Sequence, residues 1–124
     1  MCWTGYYDID IAMDNNGPLA GRKGVYKIRA IDKEGKPLQI GRLFGIDKRG
    51  ILYIGKTKRQ GIAARIRLNV NNELGIAGIR DRLPKLQARA RFLEDGQDEA
   101  ERELLDTYKQ RHGELPPINR SHPR

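Results

Sequence analysis

The chain has 124 residues, which suits one domain with one modest core. A mean hydropathy of −0.71 argues against a membrane span, and no apolar run approaches the length that a bilayer requires. Lys and Arg exceed Asp and Glu by eight, which favours a polyanionic partner, nucleic acid first.

The opening residues lack both a basic start and an apolar stretch, so no signal peptide is expected and a cytoplasmic site is the default. Cys2 is the only cysteine, which leaves no internal disulfide and no cysteine zinc site. Freed of Met1, Cys2 would be an N-terminal nucleophile, but both histidines lie at the far end of the chain and nothing else supports that chemistry. Residues 1–23 read as an arm or an edge strand. Tyr6 to Met13 alternate weakly, and Asp14 to Pro18 is a strong turn signal.

Gly24 to Ile31 alternates as a strand, with Tyr26, Ile28 and Ala30 on one side and Lys27 and Arg29 on the other. Asp32 to Pro37 predicts a turn, Leu38 to Phe44 a short strand, and Gly45 to Gly50 another turn. Ile51 to Lys56 is a short apolar run with β-branched residues and a tyrosine, the pattern of a buried strand. Basic residues follow at once: Lys56, Lys58, Arg59, Arg65 and Arg67. Such a cluster beside Tyr53 is a candidate phosphate or nucleic-acid surface.

Gln60 to Glu73 predicts a helix with Ile62, Ile66 and Val70 as its core stripe, ended by Asn71, Asn72 and Gly75. Ile76 to Leu83 suggests a second short helix. Gln87 to Leu93 alternates as a strand with Arg89 and Arg91 facing out. Asp98 to His112 is the clearest helix, stopped by Gly113 and Pro116–Pro117. Residues 120–124 read as a loose tail. The first part of the chain therefore reads as an antiparallel meander built from hairpins.

One acid breaks the pattern. At 3.6 residues per turn, Leu104, Leu105, Tyr108 and His112 fall within about 60° of Glu101. Glu99, Glu103 and Asp106 fall opposite. A carboxylate on the buried stripe must be paired, metal-bound or neutralised. A capping box, with Asp98 as N-cap and Glu101 reaching back, explains it equally well.

Together these features resemble the GIY-YIG nuclease superfamily. The residues that carry the likeness are Gly24-Val25-Tyr26, Tyr53-Ile54-Gly55 followed by Lys56-Thr57, Arg65 on the next helix, Glu101 on the last helix, and Pro-Pro-Ile-Asn119. It spans residues 24–119. The resemblance implies an α+β fold, a small central antiparallel sheet of about three strands flanked by helices, and a metal-dependent endonuclease that hydrolyses DNA phosphodiesters, leaving 5′-phosphate and 3′-hydroxyl ends. It implies Tyr26 as general base, Tyr53 as the second site tyrosine, and Arg65 as transition-state stabiliser. Glu101 would be the sole protein ligand of Mg²⁺ or Mn²⁺. Gly24, Gly55 and Asn119 would support the site, and Lys56, Lys58, Arg59 and Arg67 would contact nucleic acid. Arg67 rivals Arg65 and Glu103 rivals Glu101, but each lies on a different helix face.

The chain departs from the family in two ways. Its two tripeptides stand unusually far apart, with residues 27–52 between them, and the surplus is expected to form an extra hairpin around Leu38–Gly50. No appended DNA-binding domain is expected either. Its own basic surface, Tyr6 to Met13, a homodimer, or a larger repair, recombination or restriction assembly would have to supply affinity. RNA stands as a second substrate class. A non-cleaving nucleic-acid-binding module on the same fold is the rival function.

Overall fold

The computed structural model describes residues 2–74 and 85–119. Strand β1 (Tyr7–Asp8) and helix α1 (Ile9–Ala12) lead into β2 (Gly24–Ile31). A hairpin of β3 (Ile40–Arg42) and β4 (Gly45–Asp47) precedes β5 (Ile51–Lys56). Helix α2 (Ile62–Asn69) runs into a π-helical turn (Val70–Leu74). Strand β6 (Lys85–Phe92) and helix α3 (Gln97–His112) complete the order. The chain is therefore α+β, with a four-stranded antiparallel sheet in the order β1-β6-β2-β5. The fourth strand, beyond the three expected, is β1, which pairs Tyr7 with Ala88 and Asp8 with Gln87.

The centre of the sheet is the β2–β6 ladder, continuous from Gly24 opposite Phe92 to Ile31 opposite Lys85. Large side chains face small ones across it, Tyr26 against Ala90 and Ile28 against Ala88. That complementarity lets α2 close over the face with Ile62 and Ile66. On β5 the pairing skips a residue: Ile28 meets Tyr53, but Arg29 meets Ile51. The bulge at Leu52 puts Leu52 and Tyr53 in the core with Tyr26, while Ile51 and Ile54 pack against α3 through Leu105 and Tyr108.

The other face of β2 and β6 is not open to solvent as expected for Arg89. The N-terminal segment crosses it. Ala90 donates to Thr4 Oγ1 at 3.0 Å, and Arg89 donates to the Thr4 carbonyl at 2.9 Å. The Arg29 guanidinium lies 3.6 Å from the Tyr6 ring centroid and the Lys27 ammonium 4.5 Å from that of Trp3. Alternation fixed which way these cations point, but aromatic rings cover them.

Three further expectations change. Gly45 to Asp47 is strand β4 rather than part of a turn, so the surplus segment does form a hairpin. Asn71 and Asn72 sit inside the π-helical turn instead of ending a helix. Helix α3 starts one residue early after Gly96, which has φ of 75°, with no side-chain cap. The capping box is therefore not formed, and Asp98 pairs with Lys56 instead. The expected helix over Ile76–Leu83 lies outside the described residues. Among the described residues, no helix is long and apolar enough to cross a membrane.

Candidate active site

The site builds from two tyrosines on adjacent strands. Tyr26 on β2 is fully buried, and its ring centroid lies 6.2 Å from that of Tyr53 on β5. Gly55 is the register partner of Tyr26. A Cβ there would stand 2.5 Å from the Tyr26 hydroxyl and 2.8 Å from a Tyr53 ring carbon, so only glycine admits both rings. Gly24 answers a different need. Its φ is 152°, and a Cβ would run into the Arg91 carbonyl. Its N–H donates to Thr57 Oγ1 at 3.1 Å, and the Thr57 N–H donates back to the Gly24 carbonyl at 3.0 Å.

The Tyr26 hydroxyl donates to Asn69 Oδ1 on α2. Burial raises the Tyr26 phenol well above its ordinary pKa of 10.0, with Tyr53 and Glu101 adding to the rise. Arg65 opposes them through its charge and a polar contact. Tyr26, Tyr53, Arg65 and Glu101 thus share one electrostatic environment, although they come from four separate elements. Arg65 Nε is buried and finds no acceptor among the described residues.

Glu101 lies on the buried stripe of α3 at 6% exposure, as its phase on the helix predicts, whereas Glu103 is exposed. Its Oε1 is 3.5 Å from Lys56 Nζ, which also sits 2.6 Å from the exposed Asp98. Lys56 therefore fastens the start of α3 to the end of β5, and its hydrogen bond holds the Asp98 carboxyl below its ordinary pKa. Lys58 and Arg59 are exposed and border a shallow groove with Thr57 and Asp98, next to the Lys56–Asp98 pair.

Two predicted residues serve the scaffold. Arg67 donates to the Met13 carbonyl and to Asn15, tying α2 to the N-terminal segment. Asn119 accepts from the Ile54 N–H and donates to the Ile54 carbonyl, both at 2.8 Å, and so pins β5 from its open side. Sequence reasoning missed Asn69 and Asp47. Asn69 follows Ile66 by three residues, so its place on the core stripe was readable. Asp47 is fully buried, with Oδ1 accepting from the Arg49 N–H and Oδ2 from the Tyr108 hydroxyl.

Glu101 can hold a hard cation through one carboxylate, the mode that magnesium tolerates because it keeps most of its waters. Among the described residues no group of three or more His, Cys, Asp and Glu could cage a metal. The chain matches no family model, no curated protein and no solved structure.

Proposed function

We propose that the chain is a GIY-YIG-type endonuclease that hydrolyses phosphodiester bonds of DNA. The observation that supports this reading is that Arg65, through its charge and a polar contact, and Tyr53 and Glu101, through their charges, all act on the buried Tyr26 phenol. Phosphodiester hydrolysis needs an activated water, a cation for the phosphoryl oxygens and help for the leaving oxygen. Tyr26 takes the proton of the water, with Arg65 favouring the phenolate. Arg65 also offers its planar fork to the phosphate. Tyr53 forms the wall behind the reacting group. Glu101 would hold Mg²⁺ or Mn²⁺, which would supply positive charge to help the leaving group. Lys58 and Arg59 meet the strand at the mouth of the groove.

One observation favours the second reading, a module that binds nucleic acid without cutting it. The buried Tyr26 phenol holds its proton tightly and donates it to Asn69. Supercoiled plasmid, incubated with Mg²⁺ or Mn²⁺, separates the two. The wild type should nick it, with Glu101→Gln and Arg65→Ala each slower by about 100-fold, the usual loss when one charge-stabilising group is removed. Plasmid binding without nicking, unchanged by either substitution, would sink the nuclease reading. A labelled RNA duplex run in parallel assigns the substrate class.

A further inference from the structure

The sheet face opposite Tyr26 and Tyr53 carries a cavity of about 150 Å³ beneath α3. Ile51, Ile54 and Leu104 give it apolar walls. Lys27, Arg49, Arg91 and Arg111 surround it, and none of the four forms an ion pair among the described residues. Two carboxylates share the lining. Asp47 is already engaged by Tyr108 and the Arg49 and Ile51 N–H groups, and Glu103 is exposed at the rim. The hollow therefore keeps a positive excess over an apolar floor.

Two residues of this lining, Arg91 and His112, each carry a buried polar atom, Nε and Nδ1, with no hydrogen-bond partner among the described residues. Such groups cost free energy unless something satisfies them. Lys27 is strained in the same sense. Burial first, then the charges of Arg49, Arg89 and Arg111, holds its amine below the ordinary lysine pKa. A bound anion would relieve that repulsion.

We propose that this cavity binds a nucleoside monophosphate, with a pyrimidine ring against Ile54 and Leu104 and the phosphate on Lys27, Arg49 and Arg111. A volume of about 150 Å³ has room for one six-membered ring, and the ribose and phosphate would extend to the exposed Arg49 and Arg111. Guanidinium forks match phosphate oxygens, and the Arg91 guanidinium in the lining offers donors for a base carbonyl. The ligand has two sources, a free nucleotide or the phosphorylated end of a strand. The site stands on its own geometry and does not depend on cleavage at Tyr26.

Calorimetric titration of the full chain with UMP, uridine, AMP and inorganic phosphate tests the assignment. Emission from Trp3, the only tryptophan and the ring beneath Lys27, gives a second readout. UMP should bind more tightly than uridine, AMP or phosphate, each by about tenfold or more. The doubly substituted Arg49→Ala, Arg111→Ala protein should lose about tenfold in UMP affinity. Thr107→Trp, at an exposed lining residue, should block the mouth while the far-ultraviolet dichroism stays unchanged. A 5′-phosphorylated oligo-dT that outcompetes UMP assigns the strand end, and the reverse assigns the free nucleotide. Phosphate binding as tightly as UMP, no UMP binding at millimolar concentration, or UMP affinity indifferent to both variants would overturn the proposal.

Discussion

An alanine at position 55 would place its methyl group inside the contact shell of both site tyrosines. The strand could tolerate the residue, since Gly55 has no positive φ. The obstacle is the ring of Tyr26, which is fully buried and hydrogen-bonded to Asn69. We expect Gly55→Ala to destabilise the fold by about 1–3 kcal/mol, the usual range for overpacking a close-fitted core. Urea titration should show it as a lower midpoint with an unchanged slope. Any cleavage activity should fall further than stability does, because Tyr26 must move to make room. At this scale the sequence was readable where a residue breaks its own pattern. Glu101 stood out because a helix has a fixed period and an acid on the apolar stripe is anomalous. Asn69 did not stand out, because an asparagine near a helix end reads as a terminator before it reads as a core hydrogen-bond partner.

At the scale of elements, the segment between the two motifs shows how a local reading falls short. Gly45 to Gly50 has the composition of a solvent turn, yet Asp47 is fully buried. Its carboxylate closes the turn by accepting from the Arg49 N–H at 2.8 Å and the Ile51 N–H at 3.2 Å, then reaches Tyr108 on α3 at 2.8 Å. An Asx turn is a local event, but the tyrosine that buries it lies 61 residues away. No turn signal could supply that partner. Asp47→Ala should destabilise the chain by about 1–3 kcal/mol through the donors left without an acceptor. Asp47→Asn, which keeps one carbonyl oxygen, should recover part of the loss in the same thermal or urea titration. Equal midpoints for Asp47→Ala and wild type would mean that the hairpin is not anchored through this residue. Strands β2 and β5 were legible to the residue, because each alternates or stays apolar over its whole length. The facing of Arg89 was legible as well, but its cover by Trp3 and Tyr6 was not, since alternation carries no information about what packs on a face.

Across the whole molecule the phenols make alkaline pH the weak side of the fold. Burial is the first cause of a raised pKa at Tyr6, Tyr26 and Tyr108, and at Tyr108 the Asp47 carboxylate reinforces it. A phenol whose folded pKa exceeds its unfolded value keeps its stabilising effect below pH 10 or so and loses it as the pH climbs further. The unfolded chain then releases protons that the folded chain must keep. Lys27, with its lowered pKa, acts in the opposite direction as a single group. The urea midpoint should therefore hold steady to about pH 9 and drop by about pH 11. Tyr108→Phe should flatten the drop, and a midpoint that rises over this interval would contradict the assignment.

Strand β5 lies at the edge of the sheet, and residues 118 and 119 run beside it. The Ile118 N–H takes the Leu52 carbonyl at 3.0 Å, and the Asn119 amide takes both peptide groups of Ile54. One side chain thus imitates a neighbouring strand, with a donor and an acceptor spaced like a peptide group. Without that guard, Ile51-Leu52-Tyr53-Ile54 would be an apolar, β-prone edge with unpaired backbone, the template on which chains add to one another. Asn119 therefore bears on solubility as much as on the site. Losing it would turn the strand that carries Tyr53 into a nucleus for polymerisation, and the defect would appear as turbidity in concentrated protein before any change in chemistry.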